Sequence, residues 1–199
     1  MTAQLDLGDP TAVLLAVASA LRAAGIDAAV YGGLALAAYG EPRETRDADL
    51  AVAGVGGAQG VQALRQAGLD ASLSFDHVRF GGNWVTRIAL LGGPPATGLN
   101  VADLVEPRSP RYARAALARA LSGTLRGEPV TLLCPEDFIL FKVLSTRERD
   151  LEDAATVLRA LGPRIALSVI ESEAATLAGE LPDHGVSARL AALRAAAGV

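Results

Sequence analysis

The alternation of apolar and polar positions predicts a chain of short strands and amphipathic helices. A first helix is predicted from Pro10 to a stop at Gly25, because apolar residues recur there at helical spacing. Short apolar runs follow, and they predict buried strands. These runs cover residues 28–31, 48–52, 78–80, 84–91 and 99–105. The segment 81–83, Gly-Gly-Asn, is typical of a hairpin turn between two of them.

Helical periodicity dominates the later part of the chain. The pattern predicts a small helix at 34–39 and longer helices at 57–67, 110–121, 135–145, 147–161, 165–177 and 186–197. A strand pair is predicted within 124–133. This order indicates an α+β fold, in which a short mixed or antiparallel sheet is flanked by helices and followed by a helical C-terminal third. We expect an α/β core at 1–133 and a helical region at 134–199 that packs on it.

Composition and charge limit the function. Of the 199 residues, 51% are hydrophobic and 20% are charged, which is ordinary for a globular protein. The net charge of −4 argues against a non-specific nucleic-acid coat protein, although a local basic groove stays open. The single cysteine, Cys134, has no disulfide partner within the chain and suits the cytoplasm. The early apolar run 12–21 is too short to span a membrane.

Asp47 and Asp49 are the first candidates for chemistry. They alternate along a predicted strand, so both carboxylates point to the same face and can converge on one divalent cation. A chain with 12 aspartates contains such a pair by chance, however. By itself the pair is most simply interpreted as a solvated strand end.

The residues before this pair favour phosphate binding. Gly32 and Gly33 end a strand and open a helix, where free N–H groups and the helix dipole attract phosphate oxygens. Glycine at this place lets the backbone approach a triphosphate closely. In the following loop Arg43 and Arg46 are placed to meet phosphates, and Thr45 can bond either the backbone or a phosphate oxygen.

A third carboxylate strengthens the case for a metal site. Asp103 lies within the apolar run 99–105, where an acid is costly unless it is paired or bound to a metal. Three carboxylates beside a phosphate-binding turn suit phosphoryl or nucleotidyl transfer with Mg²⁺ or Mn²⁺. In that interpretation Asp47, Asp49 and Asp103 are the metal ligands, and Asp103 alternatively acts as the base.

These motifs resemble the nucleotidyltransferase superfamily, whose signature is Gly-Gly, an intervening segment and then Asp-x-Asp. Here 13 residues separate Gly33 from Asp47. The stretch GGLALAAYGEPRETRDADLAV is similar to the AbiEii-like branch, which includes toxins of type IV toxin–antitoxin pairs. A second stretch, PEDFILFKVLSTRERDLEDAATVL, resembles the Lys…Arg-x-Arg/Lys-Asp-x-x-Asp block of those proteins.

The resemblance implies roles that the spacing alone does not give. It implies that Lys142 contacts nucleotide phosphate and that Asp150 positions or activates the acceptor, with Asp153 as a weaker candidate. It also implies NTP as substrate, a tRNA 3′ end as acceptor and an antitoxin as partner. From the residues alone, Lys142 is the only lysine beside 17 arginines and lies on the apolar side of its helix, although a snorkelling surface lysine stays open.

The two acids of the second block have a simpler interpretation. Arg147–Asp150 and Arg149–Asp153 are ordinary helix pairs at spacings of three and four, which we favour for Asp153. Several arginines are candidates for an RNA path, namely Arg79, Arg87, Arg108, Arg111, Arg114 and Arg119. Arg111, Arg114 and Arg119 also match a solvated helix face, and we favour the simpler interpretation because charge runs are usually solvated.

The sequence therefore predicts a metal-dependent nucleotidyltransferase that moves a nucleoside monophosphate from an NTP to a hydroxyl. Two alternatives stay open. One is an antibiotic-modifying nucleotidyltransferase, which the acidic net charge slightly favours because it suits a cationic small molecule. The other is a nucleotide-binding module that has the fold without turnover.

Overall fold

The computed structural model describes residues 5–40, 42–92 and 98–198. In this part of the chain there are seven strands, eight α-helices and one 3-10 turn at Gly162–Arg164. The strands are β1 (Ala28–Val30), β2 (Ala48–Val52), β3 (Asp70–Phe80), β4 (Asn83–Gly92), β5 (Gly98–Pro107), β6 (Leu121–Leu125) and β7 (Glu128–Leu132). The helices are α1 (Pro10–Ala23), α2 (Gly32–Tyr39), α3 (Gly57–Gln66), α4 (Pro110–Ala118), α5 (Pro135–Leu144), α6 (Glu148–Leu161), α7 (Leu167–Glu180) and α8 (Val186–Ala197). None of these helices is both long enough and apolar enough to cross a membrane.

The strands form one mixed sheet in the order β3-β4-β5-β2-β1-β7-β6. Strand β2 runs parallel to β5, and β1 runs parallel to β7, whereas the other neighbouring pairs are antiparallel. The register places Asp49 beside Asp103, and Asp103 beside Arg87 on β4. The predicted mixed sheet with flanking helices is confirmed, and three charged residues lie side by side across its centre.

The sequence pattern located most elements and misplaced some of their ends. Strand β3 begins at Asp70, whereas the pattern predicted a strand only from Val78. The missed segment lies at the edge of the sheet and is largely exposed, so it needs no continuous apolar run. Helix α4 ends at Ala118, and the residues predicted as its end begin strand β6 at Leu121.

Helix α5 lies in the interior and carries the predicted nucleotide-binding lysine. Its residues from Asp137 to Leu144 are all buried. The rings of Phe138 and Phe141 lie 5.8 and 5.3 Å from that of Tyr31, the residue that precedes α2. The side-chain amide of Asn83 on β4 donates to the carbonyl of Phe141 at 3.1 Å. Helix α5 is therefore fixed both to the start of α2 and to the sheet.

A buried carboxylate ties the start of α5 to α4. Asp137 is inaccessible to solvent and accepts hydrogen bonds from Tyr112 Oη at 3.0 Å and from Arg119 Nε at 2.9 Å. Removal of one member of such a network leaves the partners without their bonds, which costs several kcal/mol.

We expect Asp137→Ala to lower the free energy of unfolding by about 3 kcal/mol, because it leaves the buried Tyr112 hydroxyl unpaired and removes two hydrogen bonds from the Arg119 guanidinium. Urea denaturation followed by circular dichroism measures this change. Glu152→Ala, on an exposed position of α6, is the matched control and should change stability by less than about 0.5 kcal/mol. Equal effects of the two substitutions would contradict the assignment of Asp137 as a structural anchor.

Candidate active site

Three neighbouring strands bring charged side chains to one place on the sheet. Asp49 lies on β2 and Asp103 on β5, directly beside it in the parallel register. Arg87 on β4 donates two hydrogen bonds to Asp103, from Nε to Oδ1 at 2.8 Å and from Nη2 to Oδ2 at 2.6 Å. The same Nη2 lies 3.6 Å from Asp47 Oδ2. From its sequence position Arg87 is only a candidate for an RNA path, because the strand register alone reveals its partner.

Asp49 is a weaker acid than a free aspartate, because it is partly buried and faces a second carboxylate. Burial, followed by repulsion from Asp103, raises the pKa of Asp49 to about 7, and the nearby ammonium of Lys142 offsets part of this shift. In the folded chain Asp49 is half-buried. The site thus carries more negative charge than its arginine neutralises, which favours a cation.

The two glycines lie against the acidic side chains. Gly32 has a φ of +69°, and a Cβ there would lie 1.9 Å from Asp49 Oδ2. A Cβ on Gly33 would lie 2.7 Å from the Cβ of Thr45. The backbone N–H of Tyr31 donates to the carbonyl of Asp49 at 3.0 Å. The N-terminus of α2 therefore lies beside the Asp-x-Asp strand, and only glycine fits there.

Lys142 is buried and paired. Its Nζ lies 2.6 Å from Asp150 Oδ1 and 3.1 Å from Asp153 Oδ2, and 4.9 Å from the centre of the Tyr31 ring. Only 1% of the lysine is exposed, so it is not a snorkelling surface residue. The paired acids come from α6, which packs on α5.

One of the two helix pairs predicted for α6 is present in the structure. Arg147 Nε does donate to Asp150, at 2.8 Å. The preferred Arg149 interpretation of Asp153 was wrong, since Asp153 instead accepts two hydrogen bonds from Arg43, from Nε and Nη2 at 3.0 Å each. A contact across 110 residues of sequence leaves no signal in helical spacing.

A cleft of about 500 Å³ gathers the predicted residues. Its lining includes all four predicted catalytic acids and three of the predicted nucleotide-binding residues; Gly32 and Gly33 contact its wall through Asp49 and Thr45. The lining residues are Arg43, Glu44, Thr45, Arg46, Asp47, Asp49, Asp103, Lys142, Arg147, Arg149 and Asp150. Arg147 and Arg149 also line the cleft, although helical spacing predicted only their pairing with acids of α6.

The donor set fits a hard divalent cation in part. Within the described residues, no three His, Cys, Asp or Glu side chains already converge as a metal cluster. Asp47 and Asp49 supply the oxygen ligands that Mg²⁺ prefers, and Mg²⁺ commonly takes one or two carboxylates together with substrate phosphates. Both oxygens of Asp103 are bonded to Arg87. Its predicted role as a ligand therefore stays a prediction that requires Arg87 to release it.

We expect Asp49→Asn to stabilise the metal-free protein above pH 7 by about 1–2 kcal/mol, or a few degrees in Tm, because it removes a crowded charge. The folded pKa lies above the unfolded value, so the wild type loses stability as pH rises from about 4 to about 7. The gain should therefore shrink below pH 7.

Thermal unfolding in EDTA at several pH values measures this difference. Asp70→Asn, on an exposed position of β3, is the control and should have no pH-dependent effect. A lower Tm for Asp49→Asn at pH 8 would refute the repulsion argument.

Comparison with known proteins supports the same chemistry. Residues 13–85 match the model of the family "aminoglycoside-2″-adenylyltransferase". The crystal structure of an antigenic nucleotidyltransferase-like protein from Paracoccidioides brasiliensis is similar, with 24% identity, a TM-score of 0.55 and 94% of each chain covered. The solution structure of the antibiotic-resistance factor ANT(2″)-Ia has 14% identity and a TM-score of 0.53, over 85% of this chain and 93% of that chain. No curated protein matches the chain.

These matches confirm the predicted fold. The family match spans the glycine turn and the Asp-x-Asp strand, and it supports a nucleotidyltransferase. The resemblance to the AbiEii-like toxins is not confirmed by any of the matches. The chain has a nucleotidyltransferase-like fold.

Proposed function

We propose that this protein transfers a nucleoside monophosphate from an NTP to a hydroxyl group of a small molecule and releases pyrophosphate. The observation that carries the proposal is the cleft that gathers Asp47 and Asp49, the start of α2 and Lys142. Each of these groups has a place in nucleotidyl transfer: carboxylates for the metal, and backbone N–H groups and cations for the phosphates.

The triphosphate is assigned to the side of the cleft formed by α2 and the helices. Thr45 packs against Gly33 at the N-terminus of α2, whose dipole attracts a phosphate. Arg43 and Lys142 add positive charge, and their bonds to Asp153 hold them in position. Because this network holds the side chains in place before the anion binds, binding costs little side-chain conformational entropy.

Asp47 and Asp49 would hold Mg²⁺ or Mn²⁺. The bound ion supplies charge neutralisation and polarises the phosphate oxygens. In the transfer itself, the acceptor oxygen forms a bond to the α-phosphorus while the bond to pyrophosphate breaks. We assign the acceptor proton to Asp103, which lies beside Asp49 on the sheet and takes the proton once Arg87 releases one of its oxygens.

Asp150 supports Lys142 in this proposal. Burial opposes ionisation of Asp150, but Lys142, Ser145 and Arg147 together lower the pKa of its carboxyl. A carboxylate with three such partners is a weak base. We therefore give it a positioning role, whereas the resemblance to AbiEii-like proteins implied contact with the acceptor.

Two observations favour a small molecule over tRNA as acceptor. The family match is to an enzyme of small aminoglycosides. Moreover, five of the six arginines considered as an RNA path are engaged in ion pairs within the chain, namely Arg79, Arg87, Arg108, Arg111 and Arg119. A tRNA acceptor with an antitoxin partner stays the second candidate, and an NTP-dependent reaction of either kind suits the cytoplasm.

Asp47→Asn should reduce NMP transfer by about a hundredfold or more, because it removes a metal ligand from the transition state. The Asp47 side chain is 45% exposed, so the fold should not change. The measurement is incorporation of label from α-labelled NTPs in Mg²⁺ with total tRNA or with hydroxyl-bearing small molecules. Asp70→Asn serves as the control, and full activity of Asp47→Asn would refute the site.

Gly33→Ala should weaken binding of Mg²⁺-ATP at least about tenfold, since its Cβ would displace Thr45 from the phosphate side. Gly56→Ala is a matched control, because Gly56 precedes α3 and a Cβ there meets nothing within 4 Å. Titration calorimetry gives both affinities. Equal affinities in the two variants would exclude the α2 N-terminus as the phosphate site.

A further inference from the structure

A second pocket of about 220 Å³ opens beside the cleft and has a different character. It shares Asp49, Asp103 and Arg147 with the cleft. Five of its other eight lining residues are aromatic or aliphatic, namely Tyr31, Phe75, Phe80, Val85 and Val105, and the other three are Asn83, Arg87 and Ser145. The rings of Phe75 and Phe80 have their centres 6.4 Å apart, and Phe80 is 40% exposed at the pocket rim.

The position of this pocket relates it to the acceptor. The cleft extends from the acids toward the 43–46 loop and α6, whereas the pocket extends toward β3 and β4. In an in-line displacement the attacking oxygen approaches the phosphorus from the side opposite to the leaving group. With pyrophosphate leaving on the side of Arg43 and Lys142, the acceptor therefore comes from the side of β3 and β4.

We propose that this pocket binds the acceptor of the reaction, and that the acceptor carries one flat apolar ring without positive charge. This rests on the proposed nucleotidyl transfer and deepens it by naming the substrate class. Aromatic walls stack well with a flat ring, and burial of the ring removes apolar surface from water.

The charges around the pocket disfavour a polycation. Arg87 and Arg147 are its cationic wall residues, and Arg87 also lies over the ring of Phe75 at 5.6 Å. The carboxylates in the wall are Asp49 and Asp103, and both are engaged, one in the proposed metal site and one with Arg87. A molecule with several ammonium groups would find like charges there and no free carboxylate among the lining residues.

Size and hydrogen bonding narrow the acceptor further. A cavity of about 150 Å³ accommodates benzene, so 220 Å³ fits one substituted ring and not a chain of several sugar rings. Asn83 also lines this pocket, and its Oδ1 is the one buried side-chain oxygen or nitrogen among the described residues without a hydrogen-bond partner. A donor on the ring substituent would supply that partner after a small adjustment of the wall.

The test compares probes that share hydroxyl groups and differ in the ring. Binding of 4-nitrophenyl glucoside, methyl glucoside and tobramycin to the full chain is measured by saturation-transfer NMR and titration calorimetry. We expect the aryl glucoside to bind at least tenfold more tightly than the other two. Phe80→Ala should cost it at least tenfold, whereas Val78→Ala, also 40% exposed on β3 and outside the pocket lining, should cost nothing.

Several results would overturn the proposal. Equal binding of the aryl and methyl glucosides, or no binding of the aryl glucoside at millimolar concentration, would remove the ring preference. Tighter binding of tobramycin than of the aryl glucoside would favour a polycationic acceptor. Loss of Mg²⁺-ATP binding in Phe80→Ala, with the aryl probe unaffected, would assign the pocket to the nucleobase.

A failure of the proposed function would look different. If the wild type bound the aryl probe through Phe80 but neither bound Mg²⁺-ATP nor released pyrophosphate, the pocket would stand as a ring-binding site and nucleotidyl transfer would fall. Because probe binding is measured without NTP, the two outcomes are read independently.

Discussion

A buried ammonium group organises the centre of this protein. Lys142 lies on α5 between two carboxylates of α6, and its charge also faces the Tyr31 ring at the start of α2. Loss of either partner of a buried ion pair leaves an uncompensated charge, which is far more costly than the pair is stabilising. The pair therefore sets the register of α6 against α5. Through Asp153 it also holds Arg43, and with it the loop that leads to the Asp-x-Asp strand.

The opposing charge lies on the sheet and is only partly compensated. Three carboxylates crowd the start of β2 and the middle of β5 with one bidentate arginine among them. On the helix side of the cleft the two acids of α6 are paired with the three cations Arg43, Lys142 and Arg147, while the sheet side is left acidic. This asymmetry suits a reaction that brings together an anionic nucleotide and a metal ion. The metal ion binds where negative charge is uncompensated, and the phosphates bind where cationic side chains are already in position.

The sequence predicted the fold to the extent that its signals were local. Helix α8 and strand β2 have the predicted ends, because caps, glycine stops and short apolar runs act within a few residues. Spacing also identified the glycine turn and the Asp-x-Asp pair. The apolar pattern of its helix identified Lys142. The pairing of Arg87 with Asp103, and of Arg43 with Asp153, could not be identified in this way. Those contacts join distant segments, and only the strand register and helix packing decide them.

Strand β3 lies at the edge of the sheet and supplies two of the aromatic walls of the second pocket. An edge strand has one paired neighbour, and most of its side chains here are exposed. Substitutions on it disturb little of the packed interior, which α5 and the central strands provide. The residues that shape the pocket can thus change over evolution at small cost in folding stability, while the acids and the buried lysine stay fixed. In this architecture substrate selectivity can therefore change without a loss of folding stability.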